Sequence, residues 1–395
     1  YLLLIGGFGL SNLGNWIYLI ALNLSVWHLT HSPAAVAGLY IVGPCARIVS
    51  NFFVGSIIDR HNKRRIIIWS DIVRGIMVCI MPFVDNLWLV YSLIAVTSIA
   101  GSFFGPSSTY MITKIVADEH KQRFNALNST LSSGSFMVGP ALAGVIIALT
   151  NTSVAMWING VTFFVCALLM ALLPKIENST ENKREIITFN VIRADFKQVG
   201  LYLKLRPALF QFLLVYTITL MVAYSLDSQE MTFIKDVLLA SDSLYGVIVS
   251  IAGVGAIIGG LCAAALANKY SLQSYIGVGF TLTLLSYFSF YASHTIWFAI
   301  VSFIFLGFFM AFSDAGYATF YQKTIPPEMM GRFGSSLNLL QSILQIAITL
   351  LIGFLAEWYS VQVVTMFFAG IGFVLALYVY RIVLRSSTLF AMEES

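Results

Sequence analysis

Several charged side chains stand inside long apolar runs of this chain: Arg47, Asp71, Arg74, Asp227, Glu230 and Asp314. A charge at the centre of a hydrocarbon span costs at least about 2.5 kcal/mol, so each asks for a partner or a role. The carboxylates point to proton or cation exchange, the arginines to anion binding or ion pairing. Asp314 lies among Phe312, Ser313, Gly316, Tyr317 and Tyr321. It is a candidate coupling site, or a structural partner for Arg47 or Lys323. Asp227 and Glu230 are one helical turn apart, with Tyr224 on the same face. They read either as coupling groups or as a solvated helix end. Arg47 precedes Asp59 by twelve residues, about 18 Å of helix, which is near mid-membrane. It either binds an anionic substrate group or pairs with a carboxylate that ties neighbouring helices. Asp71 and Arg74 have the spacing of a mutual pair, Asp71 is also within reach of the Arg60–Arg65 cluster, and the two read either as inner-gate structure or as substrate contacts.

The densest charge is in the stretch Gly55-Ser-Ile-Ile-Asp59-Arg60-His-Asn-Lys-Arg64-Arg65. A short basic loop between apolar runs marks the cytoplasmic side, where Lys and Arg are retained. Gly55 lets a neighbouring helix come close, and Asp59 can accept from nearby guanidinium groups. The loop is thus either an inner gate or a determinant of topology alone. Asn12, Asn15, Trp16 and Asn23 form a polar and aromatic series in the first span and are candidate cavity residues with Tyr224, Tyr317 and Tyr321. Gly134, Gly139, Pro140 and Gly144 place small residues and one helix-bending proline in a single span. The five histidines fall in expected loops without metal-ligand spacing, and the four cysteines read as packing residues. No metal, phosphate loop or cofactor is implied.

These groups must be held by membrane helices. Of the 395 residues, 58% are hydrophobic and 10% charged, far below the roughly 25% charged of soluble domains. The apolar runs are continuous and not alternating, which excludes a barrel. At about 20 residues per crossing, twelve spans are expected: 1–27, 34–58, 66–84, 87–112, 124–149, 153–174, 207–231, 243–267, 273–292, 295–322, 333–356 and 361–384. The polar segment 175–206 divides six from six and is read as a cytoplasmic linker with an amphipathic helix near 191–203. The domains are therefore 1–174, the linker 175–206, and 207–395 with its short tail. Nineteen of the twenty-two Lys and Arg residues fall on one side of this arrangement. Both termini and the linker are then cytoplasmic. Tyr1 already lies in an apolar run, so a short native N-terminal tail is expected before it. The net charge of +4 is accounted for by these loops, without nucleic acid.

The halves repeat. A shift of 209 residues places Asp59-Arg60 on Asn268-Lys269, Phe103 on Phe312, Lys114 on Lys323, Glu119 on Glu328, Arg123-Phe124 on Arg332-Phe333 and Gly144 on Gly353. An even number of spans per half gives two parallel copies, the plan of a transporter with its site between two rocking halves.

Along nearly its whole length the sequence resembles the major facilitator superfamily. Gly55-x-x-x-Asp59-Arg60-x-x-x-Arg64-Arg65 is similar to that family's loop 2–3 signature, with Asn62 in place of the usual Gly. Gly134-x-x-x-x-Gly139-Pro140-x-x-Ala143-Gly144 resembles its exporter motif. Ser11-x-x-Gly14-Asn15-Trp16, Leu29-Thr30-x-Ser32 and Asp71-x-x-Arg74 resemble the bacterial macrolide-efflux and enterobactin-exporter branch, in which many members have an acid where this chain has Asn15. The resemblance implies an all-α membrane protein of twelve helices in two six-helix repeats. It implies a secondary exporter of amphipathic small molecules, a monomer in the bacterial cytoplasmic membrane, using protons and surrounded by lipid. A dedicated siderophore, peptide or organic-anion transporter is the alternative within transport; a scaffold or receptor is the alternative outside it.

Overall fold

The computed structural model describes residues 2–51, 53–54, 57–58, 61–173, 189–266 and 269–385. Among them are thirteen α-helices and no strand. These are α1 Leu2–Thr30, α2 Pro33–Asn51, α3 Lys63–Ile80, α4 Leu87–Ile115, α5 Asp118–Leu149, α6 Thr152–Leu172, α7 Phe189–Lys204, α8 Pro207–Asp236, α9 Asp242–Leu266, α10 Leu272–Tyr291, α11 Ile296–Thr324, α12 Pro327–Trp358 and α13 Val361–Arg385. Polar caps start many of them: Asn62, Asn86, Asn151, Ser271 and Thr295 each accept a backbone N–H three residues on. This satisfies one of the donors a helix start leaves open.

Apart from the short α7, each helix corresponds to one expected span. Eleven are long and apolar enough to cross a membrane. The exception, α10, is diluted by Thr281, Thr283 and Ser286, whose hydroxyls donate to Gly277, Gly279 and Leu282 carbonyls of their own helix. Those side chains are buried against protein and not against lipid, which relaxes the demand for hydropathy. Several helices outrun their apolar spans: α4 reaches Ile115, α5 starts at Asp118, α8 reaches Asp236 and α11 reaches Thr324. Hydropathy measures the length in hydrocarbon, whereas backbone hydrogen bonding continues into water until a cap stops it. For the same reason His28 and His120 lie within α1 and α5, not in loops. The amphipathic helix expected near 191–203 is α7.

The chain forms two compact units: Tyr1–His31, Ile41–Thr188 and Asp242–Ser250; and Ser32–Tyr40, Phe189–Ser241 and Ile251–Ser395. Each unit therefore takes the first turns of one helix from the other half of the sequence. In the first, Leu4, Ile67, Met111, Phe124 and Met170 form a core where α1, α3, α4, α5 and α6 converge. In the second, Tyr216 stacks between Phe280 and Tyr317 at 4.5 and 4.3 Å. In that unit the Tyr202 hydroxyl of α7 donates to the Thr324 carbonyl (3.2 Å).

The repeat is visible in the glycine contacts. A methyl on Gly144 of α5 would lie 2.5 Å from the Ser243 carbonyl of α9, and Gly246 of α9 sits against the Pro140 and Gly144 backbone. A methyl on Gly353 of α12 would lie 2.6 Å from the Ala37 methyl and 3.5 Å from the Ala34 Cα of α2. Gly144 and Gly353, Ala37 and Gly246, and Ala34 and Ser243 are all related by the 209-residue offset. The same crossing is thus built twice, and each time a small residue lets two helices touch.

Candidate functional site

In the first unit the polar centre is the pair on α3. Asp71 is fully buried, and Arg74 Nη1 donates to its Oδ1 at 3.4 Å. Spacing i, i+3 puts both on one helical face. Arg74 Nη2 donates to Asn15 Oδ1 of α1 (3.4 Å), and the guanidinium lies 4.0 Å over the Phe163 ring of α6. Four helices thus share one largely buried cation, which is held by an acid, an amide and two π faces, the second being Phe104 of α4 at 5.8 Å.

Around that centre the first-span series is occupied by partners within the same unit. Asn12 donates to Ser132 Oγ (2.9 Å), and Trp16 packs on Phe136 at 4.7 Å. Asn23, completely buried, donates to the Tyr245 hydroxyl at 3.2 Å. Of the α5 glycines, Gly139 meets the Trp16 Cβ (2.5 Å for an added methyl) and Gly144 meets α9, while Gly134 faces open space.

Gly55, Asp59 and Arg60 lie outside the described residues. Arg64, one of the cluster read as within reach of Asp71, donates to the Met170 carbonyl (2.9 Å) and the Ala171 carbonyl of α6. A cation on the last carbonyls of a helix satisfies open acceptors and complements the helix dipole. Arg65 is exposed.

For Arg47, one of its two readings, pairing with a carboxylate, is not met. It is exposed and, among the described residues, pairs with no carboxylate. The link between α2 and α4 is made by Ser50 Oγ and Ser102 Oγ at 2.9 Å. Arg47→Ala is therefore expected to change thermal stability by no more than about 0.5 kcal/mol. Thermal unfolding of the solubilised protein checks this; a loss of several kcal/mol would mean that Arg47 has a buried partner after all.

In the second unit the acids are arranged differently. Because α8 runs on to Asp236, Asp227 and Glu230 do not form a solvated helix end. Asp227 is nine residues, about 13 Å, inside the helix. The Tyr287 hydroxyl of α10 donates to its Oδ1 at 2.6 Å, and the Tyr291 hydroxyl donates to the Leu226 carbonyl at 2.6 Å. Thr283, Tyr287 and Tyr291 recur every four residues, a polar stripe visible in the sequence but not read as a site. Asp314 of α11 is exposed beside the Tyr216–Tyr317 stack. Tyr224 is 41% exposed, whereas Tyr321 is tied to the Met330 carbonyl (3.0 Å). Among the described residues no Lys or Arg pairs with Asp227, Glu230 or Asp314. The first unit thus pairs its buried acid with a cation, while Asp227, Glu230 and the exposed Asp314 of the second have no Lys or Arg partner among the described residues.

Comparison with known proteins agrees with this architecture. The family profile described as Major Facilitator Superfamily matches residues 4–343 and 229–389. The MFS-type transporter YfiS of Bacillus subtilis (strain 168) is 28% identical over 370 residues, covering 89% of this chain and 86% of its own. Macrolide efflux protein A of Enterococcus faecalis is 24% identical, over 48% of this chain and 59% of its own. The crystal structure of the nucleoside transporter NupG superposes with a TM-score of 0.76 at 16% identity, covering 100% of this chain and 99% of that one.

Proposed function

Because the chain belongs to the Major Facilitator Superfamily, and is accordingly a membrane transporter of small molecules and not an enzyme, we propose that it exports amphipathic compounds by proton antiport. The observation that carries the coupling is the set of acids at Asp227, Glu230 and Asp314 that no Lys or Arg neutralises among the described residues. A carboxylate at this depth is expensive to keep charged without a counter-ion. A proton neutralises it, and opening the site to one side or the other changes how readily that proton leaves. Export is supported by the Gly139-Pro140 motif of α5 and by the likeness to the macrolide efflux protein. In this reading the halves 1–174 and 207–384 rock against each other in a multi-pass protein of the bacterial plasma membrane. Both termini are cytoplasmic, and Asp59–Arg65 closes the inner side.

The test is substrate flux in proteoliposomes with and without an imposed pH gradient. Asp314→Asn mimics the protonated acid permanently. It is expected to retain exchange of substrate down its own gradient and to lose accumulation driven by pH. Full pH-driven accumulation in Asp314→Asn would reject that residue and pass the role to Asp227 and Glu230, tested by the same substitution to the amide. Coupling that survives in all three variants would reject proton antiport through these acids.

A further inference from the structure

A groove of about 680 Å³ opens between α3 and α4 on the first unit. Its α3 wall is Arg65, Ile66, Trp69 and Val73, and its α4 wall is Val96, Ile99 and Phe103. Both sets recur at three- and four-residue spacing, so each is one continuous helical face. Between them Ser70 Oγ donates to the Ala100 carbonyl at 2.6 Å. Two small residues thus draw the helices together at the floor while the larger side chains stand up as walls. The volume is within the roughly 300–1,000 Å³ range of small-molecule sites.

The two ends of the groove differ chemically. Toward Val73 and Val96 it is wholly apolar. At the other end stand Arg65 and His61, at the start of α3. Arg65 is exposed, and among the described residues no carboxylate pairs with it. His61 Nδ1 donates to the Ile57 carbonyl at 2.9 Å, so Nε2 of the neutral ring is an acceptor and Arg65 is the donor for an anion at this end. Trp69, one turn from Arg65 on the same face, is 64% exposed; tryptophan is characteristic of the membrane interface. From Arg65 to Val73 is eight residues, about 12 Å along α3. The site therefore offers a cation at the polar boundary and an apolar channel running into the hydrocarbon.

We propose that this groove binds one anionic phospholipid, its acyl chain between α3 and α4 and its phosphate at Arg65. Any lipid covers an apolar membrane face, so the content of the proposal is headgroup selectivity. That this is the inner leaflet rests on the orientation proposed above; the selectivity does not.

Trp69 supplies the readout. The protein is placed in nanodiscs containing a small, equal mole fraction of brominated phosphatidylglycerol or brominated phosphatidylcholine in unlabelled phosphatidylcholine. Quenching assigned to Trp69 is the difference between wild type and Trp69→Phe. Phosphatidylglycerol is expected to associate about fivefold more tightly, the effect of one cation at a membrane surface. Arg65→Gln, which removes an exposed side chain, should bring the ratio close to one, and Arg65→Glu below one. Val96→Phe, filling the groove from a lipid-facing position, should reduce Trp69 quenching by phosphatidylglycerol while leaving thermal unfolding unchanged. Equal quenching by the two lipids in wild type, or a preference that persists in Arg65→Glu, would overturn the proposal and leave the groove with ordinary annular lipid.

Discussion

Asp71→Ala is expected to destabilise the first unit by about 3–5 kcal/mol, the range for removing one partner of a buried ion pair. The acid is fully buried, and its charge is met by Arg74 at 3.4 Å. Without it the guanidinium keeps the Asn15 carbonyl and the Phe163 and Phe104 faces, which lower the cost of the stranded cation without removing it. Arg74→Ala is expected to be at least as harmful, because Asp71 then has no counter-charge. The double variant Asp71→Leu/Arg74→Met is expected to recover most of the loss, since two apolar side chains of similar volume need no solvation. Thermal unfolding in detergent measures all three. If the double variant shows the sum of the two single losses, the residues do not act as a pair and the assignment fails.

Gly144→Ala and Gly353→Ala are the second large expectation. The methyl at Gly144 meets a backbone oxygen at 2.5 Å, which has no rotamer by which to withdraw. The α5–α9 crossing must open by at least about half an ångström, at a cost of about 1–3 kcal/mol for this arrangement. Gly353 meets the Ala37 methyl at 2.6 Å in the equivalent α2–α12 crossing. If these crossings form at one end of the rocking cycle, each variant shifts the balance of states away from it, and transport falls by roughly five- to 150-fold for that energy. Gly134→Ala is the control within the same motif. Nothing lies within 4 Å of its added methyl, so about 0.5–1 kcal/mol of helix propensity is gained and transport is retained. Transport rates in proteoliposomes decide it; equal rates for Gly134→Ala and Gly144→Ala would remove the close crossing from the mechanism.

Those two expectations show where sequence and structure divide the work. The i, i+3 pairing of Asp71 with Arg74 was legible because one helix carries both residues, and helical geometry alone sets their separation. The twelve spans were legible because hydrocarbon thickness sets a length that apolar runs must match. The 209-residue repeat was legible because both copies bury equivalent positions, as with Phe124 and Phe333, each fully buried.

Which side chains meet across helices was not legible. Spacing along one helix does not say how that helix is rotated about its axis or which neighbour it faces. Arg64 and Asp71 are seven residues apart, yet Arg64 turns to the carbonyl end of α6 while Asp71 finds Arg74. Asp227 was visible as an acid, but the Tyr287 hydroxyl that holds it comes from a helix 60 residues away in sequence. A carboxylate partner was one of two readings of Arg47, and packing places it where the described residues provide none. The sequence by itself determined the number of helices, the repeat and the one local ion pair, because those follow from hydropathy and from geometry within a helix. Only the tertiary structure decided which buried acids are neutralised, which glycines bring backbones into contact and where a cation stands at the mouth of an apolar groove, because each depends on helix rotation and crossing.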